Sequence, residues 1–188
     1  MFRSRLLWIG LISFGLHQLF NGGLPDPASL MRRLKGEPPI VSTPVRFQDV
    51  DGKIHDLAPG PAPKLYAFWI DRCGYSQRAL SLMEELRTTT PASQLEMVGV
   101  FLNPATDEQV RRLADAGGVS IPVAAAQQSP EVIQGLVENF GFTAPGRDLY
   151  LVDRSGAIHK FDVSDRDASQ EILATELASF VKVASTVR

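Results

Sequence analysis

The residues with the clearest capacity for chemistry are Cys73 to Ser76 (CGYS), which follow the apolar stretch KLYAFWI. The stretch has too few polar residues for a surface strand, so we expect a buried central strand. After Cys73, apolar residues recur at three- and four-residue spacing, which predicts a helix. A cysteine at the first turn of a helix lies near free backbone N–H groups and the positive end of the helix dipole, both of which stabilise a thiolate. The sequence therefore predicts a reactive thiol at Cys73.

The neighbours of Cys73 are expected to tune that thiol. The Ser76 hydroxyl can donate a hydrogen bond to the thiolate and lower its pKa. The fixed positive charge of Arg72 acts in the same direction, and Asp71 opposes it. A plainer interpretation stays open, in which Cys73 is an inert small apolar residue and Arg72 is only a solvated charge. Trp69, at the end of the stretch, is expected to be part of the core.

Composition excludes several other classes of site. The 188 residues contain one cysteine, which rules out an intramolecular disulfide and a cysteine-rich zinc site. The formal net charge is -2, without the basic excess typical of nucleic-acid binding. The histidines are scattered, and no partner is evident that would make His55 or His159 catalytic. We therefore predict no metal, no cofactor and no nucleic-acid partner.

The order of apolar runs and helical patterns predicts an α/β protein with the element order β-β-β-α-β-α-β-α-β-β-α. The first two strands form a hairpin around Asp51-Gly52, a dipeptide that tolerates the positive φ of such turns. Ser129 is expected to cap the third helix, which begins at Pro130. The last helix is predicted from Ala168 to about Val183. One central sheet with helices on its faces is expected.

The segment FWIDRCGYSQRA resembles the FWATWCGPC-type motif of the thioredoxin superfamily, and more narrowly of the membrane-anchored TlpA/ResA-like, redoxin (AhpC-TSA-type) proteins. Phe68, Trp69, Cys73 and Gly74 match the motif in place. The likeness extends from the hairpin through LYLVDRSGAIHKF, which is similar to the last strand pair of the family. The resemblance implies a thioredoxin-like fold, a central mixed β-sheet flanked by helices and preceded by an N-terminal hydrophobic helix.

The chain departs from the family pattern in ways that bear on mechanism. Ser76 replaces the second motif cysteine, whose thiolate resolves the mixed disulfide in a dithiol enzyme. Tyr75 replaces the motif proline, a position that affects redox poise. The family's cis-proline loop is represented by Pro145, although its spacing to the last strand pair is two residues longer than usual. Arg147 falls at the standard spacing, and Pro122 is interpreted as an ordinary trans residue at the sheet edge.

Residues 1–24 are predicted to be a signal anchor or signal peptide, 25–43 a linker and 44–188 a thioredoxin-like domain. Arg3 and Arg5 precede the apolar run LLWIGLISFGLHQLF, the pattern of a membrane-targeting segment. No clear cleavage site follows, which favours a retained anchor in the cytoplasmic membrane. The basic flank places the domain on the extracytoplasmic (periplasmic) side. A cleaved signal and an amphipathic or buried helix are the alternatives.

We expect a membrane-tethered, extracytoplasmic protein that performs monothiol thiol–disulfide exchange through Cys73, as an oxidoreductase or isomerase lacking the resolving cysteine. Its partners would be envelope proteins with thiols or disulfides, and the membrane itself. The alternative is a redox-inactive scaffold of the cell envelope. A one-cysteine peroxidase is disfavoured, because Ile70 and Tyr66 stand where its motif needs threonine and proline. A CxxxC copper chaperone would need a sulfur at Gln77.

Overall fold

The computed structural model describes residues 38–41, 45–126, 130–140, 146–165 and 168–186. The predicted anchor, most of the predicted linker, Ser129 and Pro145 lie outside these residues. Among the helices of the described part, none has the length and apolar character needed to span a membrane.

The elements follow the predicted order. The strands are β1 (Arg46–Gln48), β2 (Ile54–Asp56), β3 (Lys64–Trp69), β4 (Glu96–Phe101), β5 (Val123–Ala125), β6 (Asp148–Val152) and β7 (Ile158–Asp162). The helices are α1 (Gly74–Thr89), α2 (Asp107–Ala116), α3 (Pro130–Phe140) and α4 (Gln170–Thr186). The predicted start of the last helix at Ala168 was too early, because Ser169 precedes the first helical residue and its Oγ accepts the Ile172 N–H at 3.3 Å.

Five strands form a mixed sheet in the order β5-β4-β3-β6-β7, in which β3 and β4 are parallel and β6 is antiparallel to β3. The prediction that KLYAFWI is the central strand is confirmed. Its side chains alternate between two cores: Leu65, Ala67 and Trp69 face one, while Tyr66 and Phe68 face the other. The near-continuous apolar run follows from this burial on both faces.

Helices cover both faces of the sheet. Apolar residues of α1, α2 and α4 pack in one core, and those of α3 pack in the other together with the hairpin. α2 begins with a capping box in which the Thr106 and Gln109 side chains bind each other's backbone N–H. Because β3 and α1 are both packed in these layers, the short connection between them, residues 70–73, is held at a defined place at the edge of the sheet.

The hairpin forms a separate two-stranded sheet, with Phe47 opposite His55. Gly52 has a φ of 87°, which confirms the predicted turn. The expected single sheet is thus accompanied by this small one. Pro39 and Val41 lie in the predicted linker and also make backbone hydrogen bonds: the Val41 N–H donates to the Gly156 carbonyl, and the Pro39 carbonyl accepts the N–H of Ile158 at the start of β7.

Candidate functional site

Cys73 lies where β3 leads into α1, at the carboxyl end of the central strand. It is the N-cap residue of α1, with extended backbone angles (φ −105°, ψ 116°), and its carbonyl accepts the Gln77 N–H at 3.0 Å. Its side chain is a free thiol, partly exposed to solvent. The sulfur is thus held at a helix N-terminus and remains accessible to a second molecule.

Ser76 is the polar residue beneath the thiol. Only 1% of Ser76 is exposed, and its Oγ accepts the backbone N–H of Ile70 at 3.1 Å. Burial by itself raises the pKa of the Cys73 thiol, but hydrogen bonds from the Ser76 hydroxyl and the backbone N–H groups of Ser76 and Tyr75 lower it, and the lowering prevails. None of these contacts is a conventional side-chain cap of the helix. Donors that favour the thiolate therefore surround a sulfur that is not sealed in the core.

Gly146, two residues before β6, packs directly on Ser76. Its φ is 72°, and its N–H donates to the Phe68 carbonyl at 2.5 Å. A Cβ at this position would lie 2.3 Å from Ser76 Oγ and 2.5 Å from its backbone N. Only glycine fits both the positive φ and this close approach. Sequence reasoning missed this contact, since the motif analysis concentrated on the adjacent Pro145.

Arg72 immediately precedes the thiol and has an unusual backbone. Its φ of 56° is the only positive value at a non-glycine residue in the described part of the chain. The side chain is 92% exposed, and its Nε lies 3.4 Å from Asp71 Oδ2. The hydrogen bonds that lower the Cys73 pKa come from Ser76 and Tyr75, whereas Arg72 contacts Asp71.

The structure places the other predicted site residues around this junction. Gly74 is the exposed first residue of α1, and a Cβ there would meet nothing within 4 Å. Tyr75 is half-buried in the first turn. Arg147 is exposed, and its carbonyl accepts the Val163 N–H at 2.9 Å. Pro145 lies outside the described residues.

Two clefts flank Arg72. One of about 440 Å³ is lined by Ser76 and Gln77 from α1 and by residues at the end of α2. The other, of about 580 Å³, is lined by Asn103 and Arg112, among others. Asp71, Arg72 and Leu113 line both. Cys73 lines neither cleft, but Arg72 and Ser76, its neighbours in the chain, line the smaller one. Each cleft is large enough for a small molecule or a short segment of polypeptide.

A second polar cluster lies at the opposite end of β3 and β4. His55 is 1% exposed, with Nε2 2.8 Å from Asp49 Oδ2 and Nδ1 2.8 Å from Glu96 Oε1. Burial alone would lower the His55 pKa, but the hydrogen bonds to Glu96 and Asp49 raise it above the ordinary value. His159 likewise has a partner, Asp153, at 2.8 Å. The sequence did not reveal these hydrogen-bond partners, because hairpin and strand register set them.

Comparison with known proteins gives structural matches only. No family model and no curated protein matches the sequence. A putative thiol:disulfide interchange protein DsbE from Chlorobium tepidum is 17% identical with a TM-score of 0.59, over 77% of this chain and 97% of that one. A thiol:disulfide interchange protein of the thioredoxin family from Chlorobium tepidum TLS is 19% identical with a TM-score of 0.56, over 78% and 97%.

StoA from Bacillus subtilis gives 15% identity and a TM-score of 0.55, over 73% of this chain and 98% of that one. At these identities the likeness concerns architecture, and it agrees with the mixed sheet and its flanking helices. The chain therefore has a thioredoxin-like fold.

Proposed function

We propose that this protein is a membrane-tethered, extracytoplasmic member of the TlpA/ResA-like thioredoxins that performs monothiol thiol–disulfide exchange through Cys73. The observation that carries the proposal is the partly exposed sulfur at the N-terminus of α1, with hydrogen-bond donors that lower its pKa. A thiolate is the form that attacks a disulfide, and exposure is needed for a client to reach it. The structural neighbours described as thiol:disulfide interchange proteins support the same class of reaction.

The reaction begins when the Cys73 thiolate attacks one sulfur of a client disulfide. A bond forms between Cys73 Sγ and that sulfur, the client S–S bond breaks, and the second client sulfur leaves as a thiolate. In a dithiol enzyme a second cysteine would then attack the mixed disulfide. Ser76 holds that position, and its hydroxyl cannot replace a thiolate in this step. An external thiol must therefore release Cys73, which suits reduction or isomerisation of client disulfides.

The surrounding residues are assigned supporting roles. Ser76 stabilises the thiolate, and so does the backbone N–H of Tyr75. Gly74 is assigned to the exposed surface that a client meets at the first turn of α1. Arg72 modulates the charge beside the sulfur. Pro145, next to Gly146, is assigned to the loop that faces the client chain.

The location is part of the proposal. The run from Leu6 to Phe20, with Arg3 and Arg5 before it, supports a signal anchor with the domain outside the cytoplasmic membrane. Clients would then be envelope proteins with exposed thiols or disulfides.

Trapping of mixed disulfides tests this function. Wild-type protein, quenched with acid and alkylated, should carry covalent partners that disappear on reduction and in Cys73→Ser. In Ser76→Cys the trapped partners should decrease, because the new thiol can resolve the mixed disulfide. Equal recovery of partners from wild type and Cys73→Ser would contradict exchange through Cys73.

A redox-inactive scaffold is the second candidate, and the single cysteine in the sequence favours it. A scaffold would bind envelope partners through its surface without a covalent step. It predicts the same non-covalent partners and the same cellular phenotype for wild type and Cys73→Ser. The trapping experiment therefore separates the two functions directly.

A further inference from the structure

We propose that the two clefts beside Arg72 bind the external thiol of the exchange reaction, and that this thiol is a small molecule bearing carboxylate groups. The inference rests on the proposed function, which needs such a thiol because Ser76 cannot resolve the mixed disulfide. Arg72 and Ser76, which bracket Cys73 in the chain, both line the smaller cleft. The volumes of about 440 and 580 Å³ match the size of small-molecule sites.

The charges in the clefts favour an anionic ligand. The side chains of Arg72 and Arg112 line the larger cleft and are 92% and 67% exposed. Each forms one ion pair that is longer than a hydrogen bond of ideal length: Asp71 Oδ2 lies 3.4 Å from Arg72 Nε, and Glu108 Oε1 lies 3.9 Å from Arg112 Nη2. Both guanidinium groups therefore keep donors available for a bound carboxylate, which they can bind in a bidentate manner.

The acidic residues around the clefts do not cancel this attraction. Glu84, in the smaller cleft, already accepts hydrogen bonds from the Ser120 hydroxyl, the Ile121 N–H and Arg87. Asp71 is the remaining carboxylate, and it lines both clefts. Its charge is partly offset by the ion pair with Arg72. A ligand carboxylate would compete with Asp71 for Arg72 and with Glu108 for Arg112.

The backbone at Arg72 supports a role for this side chain. A φ of 56° is unfavourable for a residue with a Cβ. Glycine would avoid that strain. The chain instead carries arginine here, in a position that lines both clefts next to the thiol.

The step balances with two thiols of this class. The first, as a thiolate, attacks Cys73 Sγ of the mixed disulfide; a new S–S bond forms and the client sulfur leaves as a thiolate. The second attacks the sulfur of the bound small molecule, which forms a small-molecule disulfide and restores the Cys73 thiolate. The client disulfide is reduced, the two thiols are oxidised, and their protons pass to the client thiolates.

The test uses full-length protein in non-ionic detergent with Cys73 joined to 2-thiopyridine, a neutral leaving group. Three thiols are then added separately: mercaptosuccinate (anionic), mercaptoethanol (neutral) and cysteamine (cationic). The rate at which each releases the 2-thiopyridine group, as pyridine-2-thione, is measured. For each thiol the rate in Arg112→Glu is divided by the rate in wild type, so that intrinsic nucleophilicity cancels. Arg154→Glu, in the exposed turn between β6 and β7 at the other end of the sheet, is the matched control.

We expect Arg112→Glu to lower the rate of release by mercaptosuccinate about three- to tenfold. The rate with mercaptoethanol should stay unchanged, and the rate with cysteamine should not fall. Arg154→Glu should change none of the three. Equal ratios for all three thiols, or the same discrimination in Arg154→Glu, would overturn this inference and leave exchange through Cys73 intact. If Cys73 of the folded protein does not form the thiopyridine disulfide at all, the proposed function and this inference both fail.

Discussion

The two ends of the central strands carry polar clusters of opposite character. At the amino ends of β3 and β4, His55 is enclosed between Asp49 and Glu96, and both ring nitrogens are bound. At the carboxyl end of β3, the Cys73 sulfur is partly exposed and is stabilised by neutral donors. Both groups have shifted pKa values, but only Cys73 can meet another molecule. A perturbed pKa indicates a reactive site only when the group is also accessible.

Removal of His55 should have the largest effect on stability. His55→Gln leaves the Asp49 carboxylate, whose residue is 3% exposed, without its charged partner. Loss of one partner of such a buried pair costs about 3–5 kcal/mol of unfolding free energy, to be measured by urea denaturation. The rate of Cys73 alkylation in the folded protein should stay unchanged.

His159→Gln is the matched control for that change. Its ring also binds a buried carboxylate at 2.8 Å, and both carboxylates keep backbone donors, but the His159 side chain is 24% exposed whereas that of His55 is fully buried. Water can therefore reach the His159 site and replace the lost partner. His159→Gln should cost about 1 kcal/mol. An equal loss in both variants would contradict the special role of the enclosed His55.

Gly146→Ala should damage the thiol end of the molecule next most strongly. The added Cβ would overlap Ser76, and overpacking of this kind costs about 1–3 kcal/mol beyond the strain of the positive φ. The displaced Ser76 hydroxyl should also let the Cys73 pKa rise, as measured by alkylation at several pH values. Gly118→Ala has a similar φ, 67°, with nothing within 4 Å of the new Cβ. This variant should lose only about 1–2 kcal/mol of unfolding free energy, from backbone strain, and its Cys73 pKa should stay unchanged.

Ser76→Ala should have a smaller effect on stability and a direct effect on the thiol. The variant leaves the Ile70 N–H without its acceptor, at about 1–3 kcal/mol. It also removes the hydroxyl that lowers the Cys73 pKa, so the pKa should rise and alkylation at neutral pH should slow. An unchanged pH profile of alkylation would show that Ser76 does not tune the sulfur.

The comparison also predicts the smallest effect, a pH dependence of stability that belongs to the His55 cluster. The raised His55 pKa contributes stability that is fully present below its ordinary value of 6.5 and is lost as the pH rises through the folded value. The lowered pKa values of Asp49 and Glu96 contribute stability that is present above their ordinary values, 3.8 and 4.5, and is lost as the pH falls through the folded values. Urea denaturation should therefore find this contribution greatest between pH 4.5 and 6.5. A decline above that range that persists in His55→Gln would point to other groups.

Much of the architecture followed from local pattern. The turn at Gly52, the buried strand and the start of a helix after Cys73 depend on residues that are close in sequence. The contacts that the sequence did not reveal are those between distant segments. Gly146 meets Ser76 through the pairing of β6 with β3, and Glu96 meets His55 from 41 residues away. Strand register decides such contacts, and one sequence does not specify it.

The charge state of Cys73 in the folded protein decides whether it can perform thiol–disulfide exchange. The decisive measurement is the rate of alkylation of full-length protein by a neutral reagent across the pH range, with denaturant-unfolded protein as the reference. We predict that the folded protein titrates below the ordinary thiol pKa of about 8.5 and that the unfolded chain titrates at that value. A folded-state value at or above about 8.5, or labelling that occurs only after unfolding, would contradict the account.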